Sequence, residues 1–197
     1  MSLPIVLFLG VVAIAVVWAV VTYNRFVALR NQNQNAFSQI DVQFKRRYDL
    51  IPNLVNATKG YLKHERETLE AVINARSQAM SAEQDARANP SDGGAMANLG
   101  IAEGLLSKSL GKLVALREDY PELKADESVA RLTEELTTTE NRISFARQAF
   151  NDQVTNYNTD VESFPASVVA RATGFLRAAQ LQATQSKAER EPVNVEL

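Results

Sequence analysis

The chain begins with an uninterrupted apolar stretch. Residues 2–24 carry no charged side chain, and residues 3–21 are almost all apolar. About 20 helical residues, rising 1.5 Å each, span roughly 30 Å, the thickness of the hydrocarbon core of a bilayer. Trp18 and Tyr23 lie near the end of the stretch, where aromatic rings that carry a polar atom favour the headgroup level. The pattern predicts a transmembrane anchor over residues 1–24.

Two other interpretations of this stretch are weaker. A cleaved signal peptide has a positively charged start and a shorter apolar region before a small-residue cleavage site. Here no Lys or Arg precedes the run, and the Thr-Tyr-Asn-Arg-Phe that follows Val21 is a poor cleavage site. A core helix that is apolar on every face would need surrounding walls, which a domain of this size can hardly provide. We therefore expect the stretch to stay in the membrane.

Apolar residues continue beyond the anchor at helical spacing. Between residues 26 and 51 they recur in steps of three and four, the period of an α-helix. A repeat of eleven residues per three turns gives a nearly straight stripe. Asn33 is the polar exception, and it either fixes the register of packing or is an exposed or water-bridged amide. The stripe consists of Phe26, Leu29, Asn33, Phe37, Ile40, Phe44, Tyr48 and Ile51.

Proline and glycine mark the breaks between the later helices. Pro52 has no N–H and its ring clashes with the preceding turn, so we expect a boundary or a kink there. A second helix is then predicted over residues 53–87. The Asn-Pro-Ser-Asp-Gly-Gly sequence at residues 89–94 predicts a loop that turns the chain back antiparallel.

The third predicted helix, residues 96–116, contains three glycines. A glycine inside a helix costs up to about 1 kcal/mol relative to alanine. Gly100, Gly104 and Gly111 therefore indicate either a close approach of a neighbouring helix or a locally weak helix.

The most regular helical pattern comes next. Apolar residues recur in steps of three and four over residues 129–164, which predicts a helix roughly 50 Å long. Asp126 or Ser128 can cap its start, and Pro165 interrupts it. A last helix is predicted over residues 167–188, followed by an extended or disordered tail.

These patterns predict an all-α fold. A single N-terminal transmembrane helix leads into an elongated antiparallel bundle of four to five helices, some of them very long. The chain divides into an anchor (residues 1–24), a helical bundle domain (residues 25–172) and a C-terminal helix with a tail (residues 173–197).

Composition and charge exclude several functions. The chain has 23 acidic and 21 basic residues, so it offers no field that attracts nucleic acid. Cysteine is absent, which excludes disulfides and thiolate chemistry. Arg25 and Arg30 are the first basic residues after the anchor, and the positive-inside rule therefore favours a cytoplasmic domain. Lys45, Arg46 and Arg47 lie too far along a straight helix to reach headgroups, and we expect them to pair with Asp41 or Asp49.

No catalytic constellation is present in the sequence. His64 is the only histidine, whereas a zinc-protease helix needs two on one face. A triad that used His64 would need a nucleophile elbow, and none accompanies it. We interpret His64 as a surface or inter-helix hydrogen-bonding residue on the second helix.

Acidic residues occur in pairs, at residues 65 and 67, 118 and 119, and 134 and 135. Carboxylates from different helices can meet in a bundle core, as in di-iron proteins, but those sites also need Glu-x-x-His on two helices. We therefore expect neither a metal nor a cofactor.

Two long stretches resemble a known family. They are residues 44–71 and residues 120–170. In order they contain Arg-Arg-Tyr-Asp-Leu-Ile-Pro-Asn-Leu-Val, Tyr-Pro-x-Leu, Thr-Glu-Asn-Arg, and Tyr-Asn before Phe-Pro. This combination resembles the LemA family of bacterial membrane proteins. The glycine-rich third helix and Pro-Val-Asn-Val at residues 192–195 are less typical of the family.

The resemblance implies a membrane anchor, a helical-bundle domain and no enzymatic activity. Family members are associated with membrane stress, with HtpX-type membrane proteases and, in one branch, with magnetosome formation. The polar residues that match the family are expected to form inter-helix hydrogen bonds and ion pairs or a partner surface. They are Arg46, Arg47, Asp49, Asn53, His64, Glu65, Glu140, Asn141, Arg142, Asn156 and Asn158.

The leading functional hypothesis is a non-enzymatic scaffold or adaptor in the bacterial inner membrane. It would form homo-oligomers or bind another membrane protein, such as an HtpX-type protease, and it would not bind nucleic acid. The alternatives are a lipid-binding or membrane-remodelling module and, less favoured, a cryptic metal-binding enzyme.

Overall fold

Six helices and their connections make up residues 3–182, the part of the chain that the computed structural model describes. No strand occurs in this range, and the predicted all-α fold is confirmed. The helices are α1 (Leu3–Thr58), α2 (Arg66–Ala88), α3 (Gly93–Asp119), α4 (Pro121–Ala125), α5 (Glu127–Glu162) and α6 (Ala166–Thr173). The connections between them are short, as expected for neighbouring helices that run antiparallel.

Helix α1 carries the predicted anchor and continues into the bundle. It is 56 residues long, which corresponds to about 84 Å at 1.5 Å per residue. Only 6% of its most apolar 18-residue stretch is buried. A core helix of a soluble protein would be mostly covered by other parts of the chain. The stretch is therefore not a core helix of this kind, and its length and composition are sufficient to cross a membrane.

The stripe that follows the anchor forms the core of the bundle, as predicted. Seven of its eight members are buried, and Leu29 packs against them. Asn33 is 5% exposed, so the alternative of an exposed amide is wrong. Its role in fixing the register stays a prediction.

Pro52 does not end the helix, so the boundary considered there is wrong, and the alternative of a kink stays a prediction. Helix α1 continues to Thr58. Proline removes the hydrogen bond to the carbonyl four residues earlier, which here is that of Tyr48. Arg76 of α2 donates its Nε–H to this carbonyl at 2.7 Å. Because the freed carbonyl has a donor from a neighbouring helix, α1 can pass through the proline.

The second helix begins at Arg66 rather than at residue 53 as predicted. Between α1 and α2 the chain turns at Gly60, a residue that disfavours a continued helix. The N–H of Leu62 donates to the Thr58 carbonyl at 3.0 Å, and the Leu62 side chain is 1% exposed. Burial of this leucine ties the turn to the core.

Helices α1 and α5 run antiparallel over most of the length of α5. Arg25 Nη2 donates to Asp160 Oδ1 at 2.8 Å, and the rings of Phe37 and Phe150 lie 5.7 Å apart. Twelve residues along α1 thus correspond to ten along α5 in the opposite direction. The C-terminal end of α5 therefore lies beside the anchor.

The start of α5 resolves a choice that the sequence left open. Asp126 Oδ1 accepts the backbone N–H groups of Ser128 and Val129 at 2.9 and 3.1 Å. These donors have no partner within the first turn of a helix, and an aspartate at the cap supplies one. Asp126 is the cap, and Ser128 is a residue of the first turn.

Among the described residues, no neighbouring helix closely approaches two of the three interior glycines of α3. A Cβ added at Gly104 or Gly111 would meet no described atom within 4 Å. The close-approach interpretation is therefore wrong for these two glycines, and the locally weak helix stays a prediction.

The last predicted helix is much shorter than expected. Helix α6 ends at Thr173, and Gly174 follows with φ of 76°. This left-handed conformation suits glycine and ends the helix, with the Phe175 N–H donating to the Ala170 carbonyl at 3.0 Å. The part of the predicted helix beyond residue 182, and the tail, lie outside the described residues. The domain boundaries at residues 24 and 172 stay predictions.

Candidate functional site

A charged cluster lies inside the bundle, centred on Arg47 of α1. This side chain is 1% exposed. Its guanidinium forms ion pairs with Glu103 of α3 and Glu140 of α5. It also donates to Ser107 Oγ at 3.3 Å. The phenol of Tyr48 donates to Glu103, so the carboxylate of α3 is held from two consecutive residues of α1.

The electrostatics of the cluster are dominated by burial. Burial lowers the pKa of Arg47, and the negative charge of Glu140 opposes this shift. The guanidinium nevertheless stays charged, because an arginine is not deprotonated in proteins at physiological pH. Burial also raises the pKa of Tyr48, which keeps this phenol protonated and able to donate. The cluster joins three helices through one buried cation.

The position of this cluster argues for a structural role rather than for chemistry. Cavities of about 540, 560 and 600 Å³ occur elsewhere in the described part of the protein. None of the three is lined by Arg47, Glu103 or Glu140. A substrate in any of them would therefore not contact these charged groups.

The structure corrects the predicted pairing of the basic residues. Arg47 pairs with Glu103 and Glu140 rather than with Asp41 or Asp49. Successive residues of a helix point about 100° apart, so Arg47 faces the core while its neighbour faces outward. That neighbour, Arg46, lies 4.0 Å from Glu135 at the surface. The internal pairing was expected, but its partners were not.

Among the predicted site residues, the structure brings Arg47 and Glu140 together. Asn158 is also buried, but it lies in a different part of the bundle. Glu65 is half-buried and accepts from the Tyr120 hydroxyl at 3.4 Å. The remaining members are exposed and are distributed over α1, α5 and the turn between α1 and α2. They are Arg46, Asp49, Asn53, His64, Asn141, Arg142 and Asn156.

His64 lies in that turn and not on a helix as predicted. The helix that was expected to carry it begins two residues later, at Arg66. His64 is exposed, which agrees with its interpretation as a surface residue. Its role in partner binding stays a prediction.

Asn158 and Asn151 of α5 hold an extended segment, residues 174–182, which we call the C-terminal strap. Asn158 Nδ2 donates to the Ala178 carbonyl at 3.0 Å, and its Oδ1 accepts the Ala178 N–H at 2.9 Å. Asn151 makes the same two bonds with Leu181, at 3.1 and 2.9 Å. Asn151 and Asn158 are seven helical residues apart, a rise of about 10.5 Å. Ala178 and Leu181 are three residues apart, which span about 10 Å when extended. The two distances match, so each asparagine lies opposite its own partner residue in the strap.

Aromatic residues also hold the C-terminal strap against the bundle. The ring centroid of Phe175 lies 5.6 Å from that of Tyr23 and 5.3 Å from that of Phe26. The Tyr157 hydroxyl donates to the Leu176 carbonyl at 2.8 Å. The strap thus begins beside the anchor and runs away from it along α5.

A pair of carboxyl groups from different helices is the remaining unusual feature. Burial and the neighbouring Asp41 of α1 raise the pKa of Glu83 on α2 to about 7, while Arg87 opposes the shift. Arg87 Nη1 lies 3.7 Å from Asp41 Oδ2. Two carboxyl groups can share a hydrogen bond only when one of them is protonated, which favours the neutral form of Glu83.

Within residues 3–182, no three His, Asp or Glu side chains converge in a way that could hold a metal ion. The carboxyl pair of Asp41 and Glu83 lacks a third ligand of this kind. In the Arg47 cluster, both carboxylates, Glu103 and Glu140, are paired with the guanidinium.

Sequence reasoning missed several residues of these sites. Glu103 and Ser107 were not identified as partners of Arg47, and Asn151 was not identified as a partner of the strap. Glu103 had a detectable signal, because it lies four residues after Leu99 and three before Leu106, within the apolar stripe of α3. A carboxylate at a stripe position predicts a buried cation opposite it.

The sequence is similar to known bacterial proteins along most of its length. The sequence model of the LemA family matches residues 36–197. Magnetosome protein MamQ of Magnetospirillum gryphiswaldense is 26% identical over 193 residues, which cover 88% of this chain and 71% of that protein. Magnetosome protein MamQ 2 of Paramagnetospirillum magneticum is 26% identical over 197 residues, 92% of this chain and 72% of that protein. Protein LemA of Metamycoplasma hominis is 25% identical over 162 residues, 82% of this chain and 69% of that protein. With most of its length matched by the family's sequence model, the chain belongs to the LemA family.

Proposed function

We propose that this membrane-associated protein is a single-pass, non-enzymatic scaffold whose bundle binds other copies of itself or another membrane protein. Family membership and the apolar start of α1 support the membrane association. The assembly role is supported by the surface of the bundle, where large apolar side chains face outward at helical spacing.

The observation that carries the proposal is an exposed apolar ridge on α3. Ile101 and Leu105 are 45% and 47% exposed. Residues four apart lie on the same face of a helix, so the two side chains are adjacent. On the preceding helix, α2, Ile73 and Met80 are 48% and 39% exposed and also share one face, at seven-residue spacing. Contiguous exposed apolar side chains mark interaction surfaces on soluble domains.

The continuous helix α1 makes such a surface effective. It holds every copy of the bundle at the same height above the membrane and limits its orientation. Confinement to the membrane raises the effective concentration of the copies near one another, so weak contacts form without any new interaction. The Arg47 cluster supports the same role, because it keeps α1, α3 and α5 in one register. A bundle with a fixed register presents fixed outer faces.

The proposed location is the bacterial inner membrane, with the bundle in the cytoplasm. Arg25 and Arg30 follow the anchor directly and support this orientation. Because the chain contains no cysteine, Ser144→Cys gives a single exposed thiol. A membrane-impermeant maleimide should leave it unlabelled in intact cells and label it after permeabilisation. Labelling in intact cells with a sealed inner membrane would show that the bundle lies on the opposite side of the membrane.

The assembly itself is tested on the full chain in detergent and in lipid nanodiscs by light scattering after size exclusion. We expect an oligomer, or a stable complex with an HtpX-type membrane protease when the two are co-expressed. Ile101→Glu together with Leu105→Glu should reduce the assembly to single copies, because charged side chains would have to be desolvated in the contact.

A matched control places two glutamates at the same spacing on another helix. Ser144→Glu with Gln148→Glu changes exposed positions of α5 and should leave the assembly intact. A wild-type protein that is monomeric in every condition and binds no membrane protein would contradict the scaffold role. If the assembly survives the changes at Ile101 and Leu105, the contact between copies does not use this ridge and must lie on another face of the bundle.

A further inference from the structure

Phe164 and Leu176 are the most exposed large apolar side chains in the described part of the protein. They are 85% and 79% exposed, more than any apolar residue of the anchor in α1. Val168 of α6, between them in sequence, is 59% exposed. Single exposed apolar residues are normal on a protein surface, but three within thirteen residues of one connection are not.

All three lie at the end of the bundle that faces the membrane. Helix α5 runs toward the anchor, and its Asp160 stands beside Arg25 of α1. The chain advances past Asp160 to the turn that holds Phe164, which places this ring at the level where the uncharged run of α1 ends. Leu176 directly follows Phe175, whose ring packs against Tyr23.

Helix α6 presents an apolar face in the same place. Ala170 is buried and Val169 is half-buried against the bundle, whereas Val168 and Ala172 are exposed. Residues 168 and 172 are four apart and therefore share a face. This exposed apolar pair is a surface that the acyl-chain boundary of a bilayer could cover.

The charge around this end is positive. Two of its arginines form ion pairs, Arg25 with Asp160 and Arg177 with Glu162. Two more have no acidic partner among the described residues: Arg171 of α6 is exposed, and the guanidinium of Arg30 lies 5.4 Å from the Phe175 ring centroid. The excess of two positive charges favours anionic headgroups. The six charged residues are Arg25, Arg30, Asp160, Glu162, Arg171 and Arg177.

We propose that Phe164, Val168 and Leu176 form a membrane foot, which inserts into the interface of the anionic phospholipid bilayer that holds the anchor. The inference rests on the proposed anchoring of α1 and adds a second lipid contact. Two contacts at one end of a bundle limit its tilt and fix which side of the bundle lies against the bilayer.

The chain offers a sharp test because Trp18 is its only tryptophan. The full protein is reconstituted in vesicles of phosphatidylcholine and phosphatidylglycerol, with and without bromine on the acyl chains, which quenches nearby indoles. Trp18 reports on the anchor. A Trp18→Phe protein that also carries Phe164→Trp reports on the foot.

Phe145 provides the matched control. It is also an exposed phenylalanine, 73% exposed, and it lies on α5. It lies seventeen helical residues before Glu162, which corresponds to about 25 Å along the bundle away from the membrane, and position 164 follows Glu162 by two residues. Phe145→Trp in the same Trp18→Phe background gives an indole that should stay in water.

We expect strong quenching and a blue-shifted emission at positions 18 and 164, and emission at position 145 that bromine leaves unchanged. If position 18 is quenched but position 164 behaves like position 145, the anchor stands and the foot is refuted. If positions 145 and 164 are quenched equally, the bundle lies flat on the membrane and the foot as defined is also refuted. If position 18 is not quenched, the anchor and the foot fail together. None of these results depends on the oligomeric state, so they separate the foot from the scaffold proposal.

Discussion

Arg76 donates its Nε–H to the backbone carbonyl of Tyr48 at 2.7 Å. This is the carbonyl that Pro52 leaves without a helical donor, because a proline has no N–H. An unpaired buried carbonyl would cost about 1–3 kcal/mol. A side chain of α2 therefore lets α1 run through a proline, and the same bond connects two helices of the bundle.

A double-mutant cycle tests this relationship. Arg76→Ala should lower the free energy of unfolding by about 1–3 kcal/mol, since it removes the donor and leaves the carbonyl unpaired. In a Pro52→Ala background the helix regains its own N–H donor, and Arg76→Ala should then cost clearly less. The free energies come from denaturant unfolding in detergent. Equal costs in both backgrounds would show that Arg76 does not compensate for the proline.

The Arg47 cluster predicts a strong contrast between two neighbouring arginines. Arg47→Met leaves two carboxylates of α3 and α5 without their cation and should destabilise the protein by about 3–5 kcal/mol. Arg46→Met, one residue earlier, removes only a surface contact and should change stability by less than about 1 kcal/mol. Thermal and denaturant unfolding of the two variants give the comparison. A similar small loss of stability at both positions would show that the Arg47 cluster does not stabilise the fold.

The two asparagines of α5 predict local rather than global effects. Asn158→Ala should expose the Ala178 N–H, and Asn151→Ala that of Leu181, because each change removes both hydrogen bonds to that residue of the C-terminal strap. A loss of about 1.4 kcal/mol in local stability corresponds to tenfold faster hydrogen exchange. The control is Asn156→Ala, an exposed neighbour whose loss should leave strap exchange unchanged. Slow strap exchange in the Asn158 variant would mean that apolar contacts alone hold the strap.

Glu83 predicts a dependence of stability on pH. Its pKa is raised from 4.5 to about 7 by burial and by the neighbouring Asp41, so the folded state binds this proton more tightly than the unfolded state does. The contribution to stability is complete below about pH 4.5 and is lost as pH rises through 7. Glu83→Gln should therefore raise the melting temperature above pH 7 and flatten the pH profile between these values. The exposed Glu134→Gln should do neither, and a Glu83→Gln profile that matches the wild type would refute the shift.

The sequence predicted the parts of the fold that depend on local pattern. The apolar stripe of α1 and the regular steps of α5 were correct, because buried positions of a long helix repeat with its period. Asp126 was a candidate cap for the same local reason. The helix boundary at Pro52 was wrong because the compensating donor belongs to Arg76, which lies 28 positions after the Tyr48 carbonyl that it binds.

The C-terminal strap shows the same limit. Residues 175–182 have a composition that favours a helix, yet they are extended because Asn151 and Asn158 bind their backbone. Gly174 was the available signal, since glycine after a helical pattern commonly ends the helix. Of the predicted site residues, Arg47 and Glu140 could be expected to form ion pairs. The second acidic partner of Arg47, Glu103, was missed because the stripe of α3 was identified from its apolar residues alone.

We propose that one stiff helix passes from the bilayer into the bundle. Spin labels on Val20→Cys and Ser38→Cys, both exposed positions of α1, test it directly in nanodiscs by electron–electron distance measurement. Eighteen residues are five full turns, so the labels lie on one face about 27 Å apart. A narrow distance distribution near that value is the predicted result. A broad distribution, or one centred well below it, would show a flexible joint between anchor and bundle and would refute the continuous stiff helix.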